Sequence, residues 1–324
     1  MARALANSAS RFASNFRSAD ISIFHNFVPP PFGGGNQFLR GLWNELESRR
    51  WRMENNTISA ATRACLYNSF NFDFERLRGF RRASCRMVHR VDGPISVYRG
   101  RDEGLDRKIW EINSDLADAT IFQSEYSRSS HAALGLVFKQ VHVIHNAADP
   151  AIFHSVGRQP FDRRRKIRLI ATSWSDNVNK GADVFSWMES RIDWERFDFT
   201  FIGRSPVSFR RIRVLPPMNS HALAEQLRAH DIFITASLHE SCSNALIEAL
   251  SCGLPALYAQ SGSNGELAKD GGVPFADRNE VPDRLSQLVD DYEYHQSRIA
   301  APVLSEVADQ YLAVMGLQPR PVFS

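Results

Sequence analysis

Cysteine is scarce in this 324-residue chain: there are four, Cys65, Cys85, Cys242 and Cys252, and no two stand in a Cys-x-x-Cys pair. With no secretory signal ahead of them, neither a zinc site nor a disulfide framework is indicated, and a reducing cytoplasm is the expected location. No apolar run reaches the ~18 residues of a membrane span, so the chain is expected to be soluble or peripheral to a membrane. An Asp-x-Asp pair suited to a divalent cation is missing, and a metal is not expected. The Gly-x-Gly-x-x-Gly fingerprint is missing too, which weakens any dinucleotide reading. Acids are lacking in two stretches. The first nineteen residues, MARALANSASRFASNFRSA, hold arginine and serine without one carboxylate, the composition of an organellar transit peptide; the simpler reading is a frayed N-terminal extension over residues 1–20. From Arg76 to Arg101, eight arginines face a single acid, Asp92.

The remaining composition is ordinary for a globular protein, 43% hydrophobic and 23% charged, and the length points to two domains. The net charge of +3 conceals an asymmetry, with 20 basic against 15 acidic residues up to His154 and the reverse tendency beyond it. Strand-like and helix-like segments alternate. ISIFHNF (21–27), ACLYNSF (64–70), CRMVHRV (85–91), ATIFQS (119–124) and QVHVIHN (140–146) read as buried strands, separated by amphipathic stretches such as NQFLRGLWNELESRR. The polar link SVGRQPFDRRRK (155–166) then leads to a second series: 167–173, 197–203, 212–216, 231–237 and 255–260. Such a βαβ order predicts two parallel sheets, each covered on both faces, with a ligand cleft at the strand carboxyl ends.

One segment carries more information than the rest. In HESCSNALIEALSCGLP, Glu240 and Glu248 stand eight residues apart, a spacing that on one continuous helix leaves them about 80° apart. SCSN is rich in capping residues and ALIEALS is good helix closed by Gly253, so Glu240 is expected in a loop before a helix and Glu248 pointing outward from its second turn.

The longer stretch SLHESCSNALIEALSCGLPALYAQSGSNGEL resembles the E-x7-E signature of GT-B glycosyltransferases of the family 4 kind. The loop PPFGGGNQF, the strand MVHRVDGP, ADATIFQSEYSR, VIHNAADPAIF and a Lys-Gly opening the first helix of the second half are similar as well and fall in the family's order. The resemblance implies an α/β GT-B architecture. An acceptor domain would span 21–157, a nucleotide-sugar donor domain 158–298, and a C-terminal helix within 299–324 would cross back to the first domain. It implies transfer of a sugar from a nucleoside-diphosphate sugar to a glycan, lipid-linked or protein acceptor hydroxyl, with retention and without metal or resident cofactor. Glu240 would then accept from donor-sugar hydroxyls and Glu248 from the ribose, with Ser241, Cys242, Ser243, Asn244 and Ala245 at the helix start meeting sugar and phosphate oxygens. Gly34 and Gly35 would let the chain approach the phosphates, and Lys180 would offset the charge of the leaving diphosphate. His89 would contact the donor sugar, and Asp92 would orient His89 or receive the acceptor hydroxyl.

The chain departs from the family at Ser175, where an arginine is usual five residues before the lysine. Either Arg204 substitutes for that cation, or the Ser173 and Ser175 hydroxyls serve neutrally. Base recognition is expected near Arg204 and Met218. Arg90, Arg99 and Arg101 are candidates for an anionic acceptor, and the patch around them for an anionic membrane surface; nucleic acid is not expected. Two alternatives remain open: a GT-B nucleotide-sugar epimerase or hydrolase, and a nonenzymatic GT-B-like module binding RNA or lipid through the arginines.

Overall fold

Among the described residues, twelve short strands form two six-stranded sheets in which every neighbouring pair is parallel. The structure is a computed structural model and describes residues 19–28 and 34–318. The N-terminal segment considered above as a transit peptide lies outside these residues except for Ala19, as does Gly33 of the glycine loop.

The first sheet is built from β1 (Ile21–Phe24), β2 (Met53–Asn55), β3 (Ala64–Asn68), β4 (Arg86–Val91), β5 (Ala119–Phe122) and β6 (Val141–Val143), in the order β2-β1-β3-β4-β5-β6. The second holds β7 (Ile167–Ser173), β8 (Phe197–Gly203), β9 (Arg213–Leu215), β10 (Ile232–Thr235), β11 (Ala256–Ala259) and β12 (Gly272–Phe275), in the order β12-β11-β10-β7-β8-β9. Central strands such as ISIF, ACLYN and IFIT are buried at every position, because helices cover both faces of a parallel sheet. The two strands with no expectation from sequence, β2 and β12, are both outermost. One is three partly exposed residues and the other carries Pro274, which a central strand would not tolerate.

The chain reverses direction across each sheet, at β1/β3 in the first and at β7/β10 in the second. Loops leaving neighbouring strands there diverge and open a crevice at the carboxyl ends. The helix Leu304–Val314 does not stay with the second sheet. It buries Leu304, Val307, Tyr311 and Leu312 in the core formed by β1, β3 and the helix Gly34–Ser48, and Arg49 of the first half pairs with its Asp309. Among the described residues no helix is long and apolar enough to cross a membrane. With two facing Rossmann-like sheets, the architecture is GT-B.

Candidate functional site

At the switch point of the second sheet, the loops after β7 and β10 bring Lys180 and Glu240 into direct contact as an ion pair. The backbone explains why. Gly181 has φ +73° and lies against Ala236, so that a Cβ there would collide with the Ala236 backbone; Leu238 N donates to Asn179 O at 2.7 Å. The two loops are thereby locked together. Glu240 follows His239, which takes a left-handed φ of +58°, and its carbonyl accepts from Ser263 N at 2.8 Å, while Gly262 leaves room for this approach. Burial opposes the charge on Lys180, yet the Glu240 carboxylate and the Tyr98 hydroxyl beside it hold the ammonium above its ordinary range.

Ser243 caps the helix Asn244–Ser251, its Oγ accepting from Leu246 N. This helix is buried from Leu246 to Leu250 because it is wedged between the second sheet and the helix Gly34–Ser48. Glu248 therefore does not point outward. It is buried and lines a narrow interdomain cavity with Gly34, Gln37, Phe38, Asn244 and Ile247, and burial pushes its carboxyl up to about 8. Gly34 and Gly35, the part of the glycine turn within the described residues, open the helix Gly34–Ser48 and meet the start of Asn244–Ser251 so closely that a Cβ at Gly34 would collide with Asn244 Nδ2. Ser241 faces the first half as well, 3.0 Å from where a Cβ on Gly93 would stand.

The first half corrects several expectations. His89 does not reach the cleft: it is fully buried, stacked on Tyr67 with ring centroids 4.3 Å apart, and its Nδ1 lies 3.2 Å from Asn113 Nδ2. Burial drives its pKa down to about 3. Asp92 does not orient it either; that carboxylate pairs with Arg90 at 3.2 Å. Arg90 offers no surface to an acceptor, for it is fully buried, donating to Asn68 Oδ1 at 2.6 Å and Asn146 Oδ1 at 2.8 Å above the Phe38 ring. The reason is period-2 alternation along β4, which sends His89 under the helix Leu105–Leu116 and Arg90 to the opposite face.

The arginine-rich stretch is not one patch. Arg78 pairs with Glu75 and Asp115, Arg81 with Asp118, Arg82 holds the carbonyls of Ser59 and Thr62, and Arg86 that of Val314. Arg99, the last residue of the helix Ile95–Arg99, and Arg101 just beyond it are exposed. In the other half, Ser173 Oγ donates to Ser175 O at 2.7 Å, and Ser175 Oγ accepts from Asn177 N at 3.1 Å, so both hydroxyls shape their own loop. Arg204 is exposed, its backbone N donating to Ser173 O at 2.8 Å, and Met218, like Trp174, packs against the core cluster that includes Leu246 and Leu250. Cys242 is buried, its thiol pushed up to about 12 by that burial.

Sequence reasoning assigned no role to the residues that join the two halves. Glu266 accepts from the backbone N of Glu125 and Tyr126, at 2.8 and 2.7 Å, which caps the helix Glu125–Ala133 from across the cleft, and it also bonds His145. Tyr126 Oη lies 2.9 Å from His239 Nδ1, Asn179 Nδ2 donates to Tyr98 O at 2.6 Å, and Gln37 Nε2 to Ser220 Oγ at 2.6 Å. The available signal was the chain order of ATIFQSEYSR, VIHN and GSNGEL; it gives no pairing across 140 residues. Among the described residues no group of three or more His, Cys, Asp or Glu could hold a metal ion. A larger open concavity lined by Arg63, Arg86, Asp118, Lys139 and Met315 lies at the amino ends of β3 to β6, the end opposite the cleft.

Residues 165–291 match the family model described as glycosyl transferases group 1. Three solved structures are similar along nearly their whole length. Sucrose-phosphate synthase from Thermosynechococcus elongatus is 14% identical, with TM-score 0.65, covering 91% of this chain and 96% of its own. Alr3699/HepE from Anabaena in complex with UDP-glucose is 13% identical, with TM-score 0.64 and coverages of 91% and 97%. The catalytic domain of starch synthase IV from Arabidopsis thaliana bound to ADP and acarbose is 11% identical, with TM-score 0.68 and coverages of 92% and 99%. No curated protein matches the chain. At such identities the likeness shows the fold.

Proposed function

We propose that this chain is a glycosyltransferase that moves a sugar from a nucleoside-diphosphate sugar to an acceptor hydroxyl, with retention and without metal. One observation carries the reading: the Lys180–Glu240 pair at the switch point of the second sheet lies beside the helix start on which the glycine turn of the first half closes. The match of residues 165–291 to glycosyl transferases group 1, and similar solved structures in complex with UDP-glucose and with ADP, support it.

In this reading the diphosphate lies between the glycine turn at Gly34 and Gly35 and the backbone N–H groups of Cys242, Ser243 and Asn244, where a helix N-terminus favours negative charge. Lys180 exchanges its Glu240 partner for the phosphate as charge develops on the leaving group. Glu240, released, accepts from sugar hydroxyls, and Glu248 accepts from the ribose within the narrow cavity. In this reading the departing phosphate takes the acceptor proton. Arg204, exposed just after β8, would meet the phosphate or the base, and Met218 the base. Asp92, half-buried just after β4 and paired with Arg90, would receive the acceptor hydroxyl.

A thermal-shift panel of UDP, GDP, ADP and dTDP with their sugars identifies the donor, because a ligand specific to the native state stabilises by RT ln(1 + [L]/Kd). Glu240→Gln is expected to abolish transfer while sparing plain nucleotide binding, and Glu248→Gln to weaken both. Equal loss of nucleotide affinity in the two variants would remove the assignment. Release of nucleotide from donor without acceptor would favour the epimerase or hydrolase reading, and strong RNA or lipid binding without transfer the nonenzymatic one.

A further inference from the structure

A chain of amides runs from the buried guanidinium of Arg90 to the glycine turn, and its polarity is set at one end. A guanidinium donates and cannot accept. The Asn146 atom 2.8 Å from Arg90 Nη2 is therefore its carbonyl oxygen. The Asn146 amide nitrogen is consequently turned the other way, donating to Gln123 Oε1 at 2.9 Å and to Asn244 Oδ1 at 3.0 Å. That commits the Asn244 carbonyl, and leaves its NH2 group facing Gly34 at the first residue of the helix Asn244–Ser251. Among the described residues no protein group accepts from Asn244 Nδ2, while the Arg90 guanidinium itself lies under the same turn, Nη1 standing 3.9 Å from the position of a Cβ on Gly35.

We propose that Arg90 and Asn146 are positioning residues for the donor diphosphate: by fixing the orientation of the Asn244 side-chain amide, they present its N–H groups to the anion between the glycine turn and the helix start. This rests on the donor reading above. It gives the cleft a donor on the second half, at the start of the helix Asn244–Ser251, preoriented and polarised by residues of the first half, in a protein whose position 175 is a neutral serine. An amide without this constraint would have to be turned and held by the phosphate itself on binding, at an ordering cost that the fixed orientation avoids.

The test exploits the difference between amide and carboxylate. Asn146→Asp keeps a partner for Arg90 but cannot donate, so Asn244 turns its NH2 group toward the new carboxylate and its carbonyl toward the cleft. Calorimetric titration with UDP, GDP and ADP, and with uridine, guanosine and adenosine as phosphate-free controls, is expected to show affinity for the bound diphosphate reduced about tenfold or more, as loss of a charge-assisted bond implies. Nucleoside affinity should be unchanged. In an Asn244→Ala background the same substitution should cost less than about twofold, since coupled groups are non-additive. Asn244→Asp, which keeps the bond from Asn146 and removes the donor, should lose at least as much as Asn146→Asp and serves if the latter fails to fold. Unchanged diphosphate affinity in either aspartate variant, or an equal loss with and without the Asn244 side chain, would overturn the relay while leaving the donor reading in place. Wild-type protein that binds neither these three diphosphates nor dTDP would overturn both.

Discussion

The strand ends of the second sheet spend their polar side chains outward, into the cleft, whereas those of the first spend them inward. Lys180 and Glu240 sit in loops after β7 and β10, half-buried and paired with each other. His89 and Arg90 sit within β4 itself and are fully buried, each bonded to asparagine. The difference teaches that a polar residue just inside a strand is fixed by the packing on its own face, while one just beyond it is available to a ligand. The same difference separates the exposed Arg99 and Arg101 from the buried Arg90.

The largest expected effect that sharpens this contrast is on catalysis. Lys180→Ala should lower turnover by more than about 10²-fold, since removing one preorganised donor to developing charge costs roughly 3–4 kcal/mol of transition-state stabilisation. The assay is donor turnover with and without EDTA. Activity abolished by EDTA and restored by Mg²⁺ would assign this work to a metal, and full activity in the variant would reassign the phosphate site.

On the other side of the contrast, Arg90→Met should act on stability. It leaves Asn68, Asn146 and the Asp92 carboxylate without their donor, and breaking such a buried pair costs about 3 kcal/mol. Urea unfolding reads this directly. A cost below about 0.5 kcal/mol, the ordinary value for a surface side chain, would mean that Arg90 is not held as its geometry indicates.

Two titrations distinguish the halves further. Glu248 has its folded pKa raised to about 8 by burial, above the ordinary carboxyl value of 4.5. The folded state therefore holds a proton that the unfolded state releases, and this stabilisation is complete below pH 4.5 and lost as pH rises through about 8. Glu248→Gln should flatten the decline in melting temperature between those limits; an unchanged profile would place the carboxylate in water. His89 has the opposite sign, with its pKa lowered to about 3 from 6.5 by burial. Its contribution is complete above pH 6.5 and lost as pH falls toward 3. His89→Phe, which keeps a ring on Tyr67, should lessen acid sensitivity and leave the donor KM within about twofold. A KM change of tenfold would return His89 to the cleft.

The smallest effect belongs to the exposed arginines. Arg99→Ala and Arg101→Ala should each change stability by less than about 0.5 kcal/mol. If an anionic acceptor or membrane surface uses them, its binding falls with salt, because exposed charges are screened within about 8 Å at physiological ionic strength. Salt-insensitive use of the acceptor would make them solvated side chains only.

Ten of the twelve strands, the order of the two sheets' halves and the cap before Asn244 are legible in the chain, because continuous burial and capping chemistry leave local signatures. Edge strands β2 and β12 are not, since a short, half-exposed or proline-bearing strand looks like loop. Lys180 and Glu240 could be picked out as candidates because HESCSNALIEALSCGLP and the Lys-Gly pair resemble a known signature, not because local pattern alone marks them. What the sequence could not decide was direction. Whether Glu248 faces water or the other domain depends on what lies across its helix, and whether His89 or Arg90 faces the cleft depends on which covering helix takes each face of β4. The pairing of Asn146 with Asn244, and of Glu266 with the helix at Glu125, joins segments some 100 and 140 residues apart. Local periodicity carries no information over such separations, so only the closing of one domain on the other brings these partners within bonding distance.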